Sequence, residues 1–254
     1  KEGGLWKMMG NQRLIYLRVK PAAHKWIKAD GSTVVKTGME MQGEDQGVRG
    51  INSMRIQGPG LPTAGVTLSK TQWSVDRLVL DTQDFSLPTN NWEFGPLDDA
   101  TISNLSEAAE AYTVTLYTDQ TAPTPGSAFA QQFKGAIFKK PMLNSALANA
   151  TYFGTATMPG INHTMNFANA SILGKTVTVS VTKPTVYVIK WSSVGIEFWG
   201  NNPGLWVDKD VRQSAVSVDL IVPSAVGFTP NNGQIRFQTE DQFGREFTYH
   251  YMFQ

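Results

Sequence analysis

The C-terminal stretch Ser214 to Gln254 limits the fold more than any other part of this chain. It holds three successive segments in which apolar residues recur at every second position. Val216, Val218, Leu220 and Val222 alternate with Ser217 and Asp219, and Ile235 and Phe237 alternate with Arg236 and Gln238. Phe247, Tyr249, Tyr251 and Phe253 alternate with Thr248, His250 and Met252. Successive side chains of a β-strand point to opposite faces, so each segment offers one face to a core and one to solvent. Asn231-Asn232-Gly233 and Glu240–Arg245 supply the turn chemistry between the segments. The alternation expects Phe247, Tyr249, Tyr251 and Phe253 in a core and His250 in solvent. On an exposed edge strand, those four aromatics would be the first candidates for a partner interface.

Composition agrees with a β fold. Hydrophobic residues make up 41% of the chain and charged residues only 17%, below the usual quarter. Thr, Ser, Asn, Gln and Gly carry much of the surface instead, which suits exposed sheet. The formal charge of +1 gives no electrostatic case for nucleic acid or an anionic membrane. With no cysteine, disulfide scaffolds, thiolate metal sites and cysteine nucleophiles are excluded. No apolar run is long enough for a transmembrane helix. The chain starts at Lys1, which leaves room for a removed leader.

Read in order, Leu14–Lys20 is a first strand that Pro21 should end, because proline cannot donate to a ladder. Thr33–Thr37 is a second strand, followed by a Gly-rich polar loop over Gly38–Gly50. Ile51–Gln57, Val66–Leu68 and Arg77–Leu80 are further strands, and Asp84–Pro96 reads as an irregular loop. Asp98–Ala111 is the best helical segment, with Asp at its start and Ala/Glu enrichment. Tyr112–Tyr117, Phe133–Lys140, Thr176–Thr182, Val186–Trp191 and Ile196–Trp199 complete the strand list. Thr118–Ser127 has two prolines, a glycine and almost no apolar content, the composition of a linker.

These signals predict an all-β protein of two tandem antiparallel β-sandwich domains, over 1–120 and 129–254. A linker at 121–128 separates them, and one short helix falls near 98–111.

Two segments carry a family resemblance. Gly174–Pro184 (GKTVTVSVTKP) and Glu240–Tyr249 (EDQFGREFTY) resemble the early strand and the last hairpin of fibronectin type III and bacterial Ig-like modules. Tyr112–Asp119 (YTVTLYTD) looks like a final strand of the same kind. The resemblance implies an Ig-like sandwich in an extracytoplasmic (periplasmic, cell-surface or secreted) bacterial protein. It carries no catalytic residues across.

Chemistry-bearing residues are sparse. His24, His163 and His250 are far apart in sequence, and neither H-E-x-x-H nor G-x-S-x-G occurs. Gly174-Lys175-Thr176 imitates the end of a phosphate loop but leads into a strand. The acidic pairs Glu44-Asp45, Asp98-Asp99, Asp208 with Asp210, and Glu240-Asp241 are expected in loops or turns. Of these, Asp208, Asp210, Glu240 and Asp241 are candidate calcium ligands. The segment Lys190–Trp206 (KWSSVGIEFWGNNPGLW) clusters Trp191, Trp199 and Trp206 with Asn201 and Asn202. Aromatic platforms with amide neighbours suit sugar rings, but sandwich cores also take tryptophan, and core packing is the preferred reading.

The functional expectation is a non-catalytic surface, appendage or scaffold subunit that acts through protein–protein contacts or self-assembly. A carbohydrate-binding module using the Trp-rich segment is the alternative.

Overall fold

In the computed structural model, the three alternating C-terminal segments are strands, and the last of them lies in the interior of one long sheet. The structure describes residues 15–45, 51–59, 61–71, 74–81, 86–89, 92–105, 107, 111–117, 128–134, 139–148, 151–160, 172–201 and 204–254. The N-terminal strands are β1 (Ile15–Ile27), β2 (Thr33–Asp45), β3 (Ser53–Gln57), β4 (Val66–Thr71), β5 (Ser74–Leu80), β6 (Phe94–Pro96), β7 (Ala111–Tyr117) and β8 (Ala128–Lys134). The remaining strands are β9 (Thr155–Thr157), β10 (Thr176–Thr182), β11 (Ile189–Gly200), β12 (Leu205–Asp210), β13 (Ser217–Ile221), β14 (Pro230–Asp241) and β15 (Glu246–Phe253). Among the described residues two short helices, α1 (Asp99–Asn104) and α2 (Asn144–Leu147), complete a fold that is all-β.

The long sheet runs β12-β11-β14-β15-β1-β2-β5-β4-β3-β7-β8, and β6 also pairs with β2. Its pairings are antiparallel except that β1 and β15 run parallel, with Ala22 opposite Glu246 and Trp26 opposite His250. A three-stranded sheet, β13-β10-β9, forms a second layer. Strands from both expected domain ranges thus enter one sheet: β1 pairs with β15, and β8 pairs with β7. Of the expected linker, 121–127 lies outside the described residues, and residue 128 opens β8.

The alternation sets the layers. Val194, Ile196, Ile235, Phe237, Phe247 and Tyr249 face Val179, Val181, Ala156, Val218 and Leu220 of the smaller sheet. This sandwich core places the aromatic residues of β15 where the sequence predicted: Phe247, Tyr249 and Phe253 are buried. Each large side chain taken fully out of water here contributes about 1.5–3 kcal/mol. The same face of β1 and β2 supplies Leu17, Val19, Met39 and Met41 to a second cluster with Met54, Leu68, Val114 and Leu116.

Several local expectations are corrected. Pro21 does not end β1, which continues to Ile27. Pairing with β15 begins one residue later, at Ala22, and a proline is tolerated where one side of a strand is unpaired. The Gly38–Gly50 segment is not a loop as far as residue 45, because β2 runs through it. Its glycines serve close approach instead: a Cβ on Gly38 would lie 2.1 Å from the Gly95 carbonyl oxygen of β6. Asn231-Asn232-Gly233 is strand within β14, whereas the turn at Asp241–Arg245 holds, with Gly244 at φ 79°. Val186–Val188 are not strand, Ile189–Trp191 and Ile196–Trp199 merge in β11, and the helix is limited to Asp99–Asn104.

Asp98 caps α1 by accepting from the Thr101 N–H at 2.6 Å. Asp99 accepts from the Asn144 and Ser145 N–H groups at 2.6 and 3.1 Å, which supplies α2 with the N-terminal acceptor its own sequence lacks. Asn144 in turn accepts from the Thr37 N–H and donates to the Leu97 carbonyl.

Candidate functional site: a charged groove on the concave face

The register collects the polar positions as firmly as the apolar ones. Even-numbered residues of β1, β2, β12, β14 and β15 share one face of the long sheet with odd-numbered residues of β11. That polar face is concave. Glu44 of β2 and Arg77 of β5 line one cavity with Trp206 and Asp208 of β12, although four strands separate β2 from β12 in the sheet order. Only a curled sheet brings them together, as the twist of a many-stranded sheet allows.

Among the described residues, two cavities open on this face. The first, about 480 Å³, is lined by Arg18, His24, Glu40 and Gln42 on β1 and β2, by Glu246 and Gln238, and by the consecutive residues Trp92, Glu93 and Phe94, of which Trp92 is exposed. The second, about 760 Å³, is lined by Trp199, Gly204, Trp206 and Asp208. Arg77, Glu197 and Arg236 line both, so the two form one groove. Each volume is in the range of small-ligand sites, roughly 300–1,000 Å³.

The floor is held by ion pairs, most of them between neighbouring strands. Arg18 pairs with Glu40 at 2.5 Å, Arg77 with Glu93 at 3.1 Å and Arg236 with Glu197 at 3.3 Å. Lys20 pairs with Glu246, whose other oxygen accepts from Gln238 and Thr248. Burial alone would raise the Glu40 pKa, but Lys20 and Arg18 outweigh it and hold the carboxyl below its ordinary value. Glu93 is pushed up by burial, which Arg77 only partly offsets.

A hydrogen-bond chain fixes the histidines beneath this floor. Gln234 Nε2 donates to Glu197 Oε2 at 2.7 Å, so its Oε1 faces His250 Nδ1 at 2.9 Å. That nitrogen must therefore carry the proton, which leaves His250 Nε2 to accept from His24 Nδ1 at 3.0 Å. His24 Nε2 is then a bare acceptor. His24 Nε2, Glu40 Oε2 and Arg18 Nε are buried with no hydrogen-bond partner among the described residues. Burial, first of all, keeps both rings neutral, with the His24 pKa lowered to about 4. Trp26 stacks on both rings, and Phe94 tilts against His24 at 4.4 Å.

The sequence placed His250 in solvent; it is fully buried. The polar side of its strand faces the covered, concave side of the sheet. The aromatics Phe247, Tyr249, Tyr251 and Phe253 lie on a strand flanked by β14 and β1, away from any sheet edge. Burial lifts the Tyr249 hydroxyl to about 12.

The Trp-rich segment is less buried than a core would make it. Trp206 is 68% exposed, Trp191 is 38% exposed, and Trp199 is half-buried. Among the described residues, the fully buried tryptophan is Trp26. Trp199 and Trp206 line the second cavity, whereas Trp191 donates to Asp210 at 2.9 Å. Asn201 uses both ends of its amide on the Gly227 carbonyl and the Thr229 N–H. Asn202 and His163 lie outside the described residues.

The four candidate calcium ligands are on strands rather than in loops and are engaged separately. Asp208 faces the groove, and Glu240 lies 3.3 Å from Lys190. Asp241 accepts from the Phe243 and Arg245 N–H groups and from Arg245 Nε. Among the described residues no group of three or more His, Asp or Glu is set to hold a metal ion. No helix among them is long and apolar enough to cross a membrane.

No family model matches this sequence, and no curated protein matches it. Among solved structures, the chain is similar to a Ca2+-stabilized adhesin that helps an Antarctic bacterium reach out and bind ice. That match has 12% identity and TM-score 0.28, covering 89% of this chain and 53% of the other. It is also similar to a tetra-tandem repeat in the extending region of a large adhesion protein, at 11% identity and TM-score 0.25, over 93% and 49%. A third is a 1.5-MDa bacterial ice-binding adhesin studied for host cell surface retention, at 11% and 0.27, over 92% and 63%. The chain thus spans 49–63% of the length of these structures. TM-scores this low do not establish a common fold.

Proposed function

We propose that this chain is a non-catalytic extracytoplasmic binding protein, a surface, appendage or scaffold component that works by contact. The contact is made in the groove on the concave face. The observation that carries this reading is the pairing of a rigid floor with an open rim. The floor's charges are locked in ion pairs between strands, while Trp92 and Trp206 stand 41% and 68% exposed at the rim. A preorganised polar floor with accessible aromatic anchors favours recognition, because little has to be ordered on binding.

The test is co-sedimentation of the purified chain with washed bacterial cells and extracellular matrix material, beside an Asp208→Arg variant. Asp208 is exposed in the second cavity, so a long cation there blocks the groove without touching the core. Retention of the wild type and at least roughly tenfold weaker retention of the variant, a loss of about 1.4 kcal/mol, support the reading. Equal retention of both, retention of neither, or release of a chemically altered product overturns it.

A further inference from the structure

We propose that the groove takes a neutral saccharide, a short oligosaccharide lying across the sheet from Trp92 to Trp206. This inference rests on the groove being the contact site.

Charge comes first. The six carboxylates along the two joined cavities outnumber their three guanidinium groups taken together with Lys20, which pairs with Glu246, and His24 is held neutral. A phosphate, a sulfated chain or a uronic acid polymer would meet net negative charge at close range, where Coulomb repulsion is strong. A free cation is equally ill served, because Glu40, Glu93 and Glu197 each already face an arginine. An apolar ligand would strip water from these groups and return no hydrogen bonds.

What remains is a ligand without net charge that donates and accepts at closely spaced points. The floor offers that pattern. The Gln42 and Gln238 amides of the lining can each donate and accept. Side chains of the same lining hold Arg18 Nε, a donor, and Glu40 Oε2 and His24 Nε2, acceptors, which are closed to water and lack a protein partner among the described residues. Neighbouring strands repeat every 4.7–4.9 Å or so, which interleaves the donors and acceptors on adjacent strands. Vicinal hydroxyls of a sugar ring each donate and accept, so they satisfy both kinds at once.

The aromatics supply the rest. Trp92 belongs to the first cavity, Trp206 to the second, and Arg77, Glu197 and Arg236 to both. Exposed indoles at opposite ends of a polar trough are costly as surface and useful as stacking platforms for the C–H faces of pyranose rings. Two platforms and two confluent cavities call for several linked rings rather than one.

The experiment uses the intact chain on an array of neutral glucan, mannan, galactan and chitin oligosaccharides beside sialylated, sulfated and uronic acid glycans. Affinities of hits are then measured by tryptophan fluorescence for wild type, Trp92→Ala and Trp206→Ala. Neutral glycans should bind and acidic ones should not. Each Trp variant should lose roughly tenfold in affinity, the scale of one aromatic contact, with Tm unchanged. Binding confined to acidic glycans, or binding that survives both substitutions, overturns the proposal. The co-sedimentation assay gives an independent readout. Retention that Asp208→Arg abolishes but periodate treatment of the surface material leaves intact keeps the groove as contact site and removes the saccharide. Loss of that retention on protease treatment instead would identify a protein partner.

Discussion

His24 Nδ1 lies 3.0 Å from His250 Nε2, joining the first strand to the last through two fully buried imidazoles. Parallel pairing of β1 with β15 makes the contact, and the Gln234–Glu197 hydrogen bond sets its direction. His250 both donates and accepts, so the arrangement requires that ring to be neutral, while burial keeps His24 neutral beside it.

Acid should therefore loosen the joint. Burial lowers the His24 pKa from its ordinary 6.5 to about 4, with Arg236 and Lys20 adding to it against Glu40; His250 shifts the same way. The unfolded chain binds these protons more readily than the folded one. The stabilisation is thus complete above about pH 6.5 and is lost as pH falls towards 4, by up to about 3 kcal/mol for His24 alone. Urea midpoints at pH 7.5, 5.5 and 4.5 should fall steeply in the wild type and less steeply in His24→Phe. Parallel slopes in the two proteins would remove the histidines from the acid response.

Lys20 and Glu246 make the neighbouring rung between the same two strands, both nearly out of solvent. Removing one partner leaves a buried charge without its counter-ion, which costs about 3–5 kcal/mol. Lys20→Met should lower stability by that order. Lys20→Met with Glu246→Leu should recover part of the loss, because an apolar pair carries no desolvation penalty. A double-mutant cycle by chemical denaturation reads the coupling, and simple additivity would mean that the pair is already solvated.

The groove was hidden in the sequence for the same reason that the core was visible. Period-two alternation in β10, β13 and β15 marked the apolar face directly, and those strands appear where the pattern puts them. The polar face obeys the same period: Arg18 and Lys20, Glu40 and Gln42, Arg236 and Gln238, and Glu246 and Thr248 alternate with core residues. Read strand by strand, such positions look solvated. They become a site only when β1 meets β15 across the whole chain and the sheet curls, and neither the strand order nor the curl is written in local periodicity. Complementary charges at alternating positions of several strands were the available signal. Pro21 and Gly38 misled for a related reason, because their roles depend on which neighbour lies alongside.

Asp241 was a calcium candidate by composition; its geometry is that of a turn clamp. Its two oxygens take the Phe243 N–H at 2.8 Å, the Arg245 N–H at 2.9 Å and Arg245 Nε at 2.7 Å, and the residue is wholly buried. Asp241→Ala should lower stability by about 2–4 kcal/mol, from two lost backbone acceptors and a part-buried guanidinium left unpaired. The loss should be the same in excess calcium and in EDTA when followed by thermal denaturation. A loss confined to the calcium-loaded protein would make Asp241 a ligand.

Gly154 reports how tightly the two layers close. A Cβ built there would lie 2.3 Å from Phe237 Cε1 and 2.7 Å from the Thr182 carbonyl oxygen. Phe237 belongs to the long sheet and Thr182 to the smaller one, so the added methyl wedges between the layers rather than into open space. Gly154→Ala should destabilise by about 1–3 kcal/mol, the usual cost of overpacking. Phe237→Leu removes the ring but not the carbonyl, so in the double variant it should relieve part of that strain and leave the rest. The coupling between the two substitutions in a denaturation cycle should accordingly be favourable and incomplete. Gly154→Ala at wild-type stability would mean that the layers have slack at this point, and that the sandwich core is held chiefly by Val179, Val194, Ile196 and Ile235 further along the sheet.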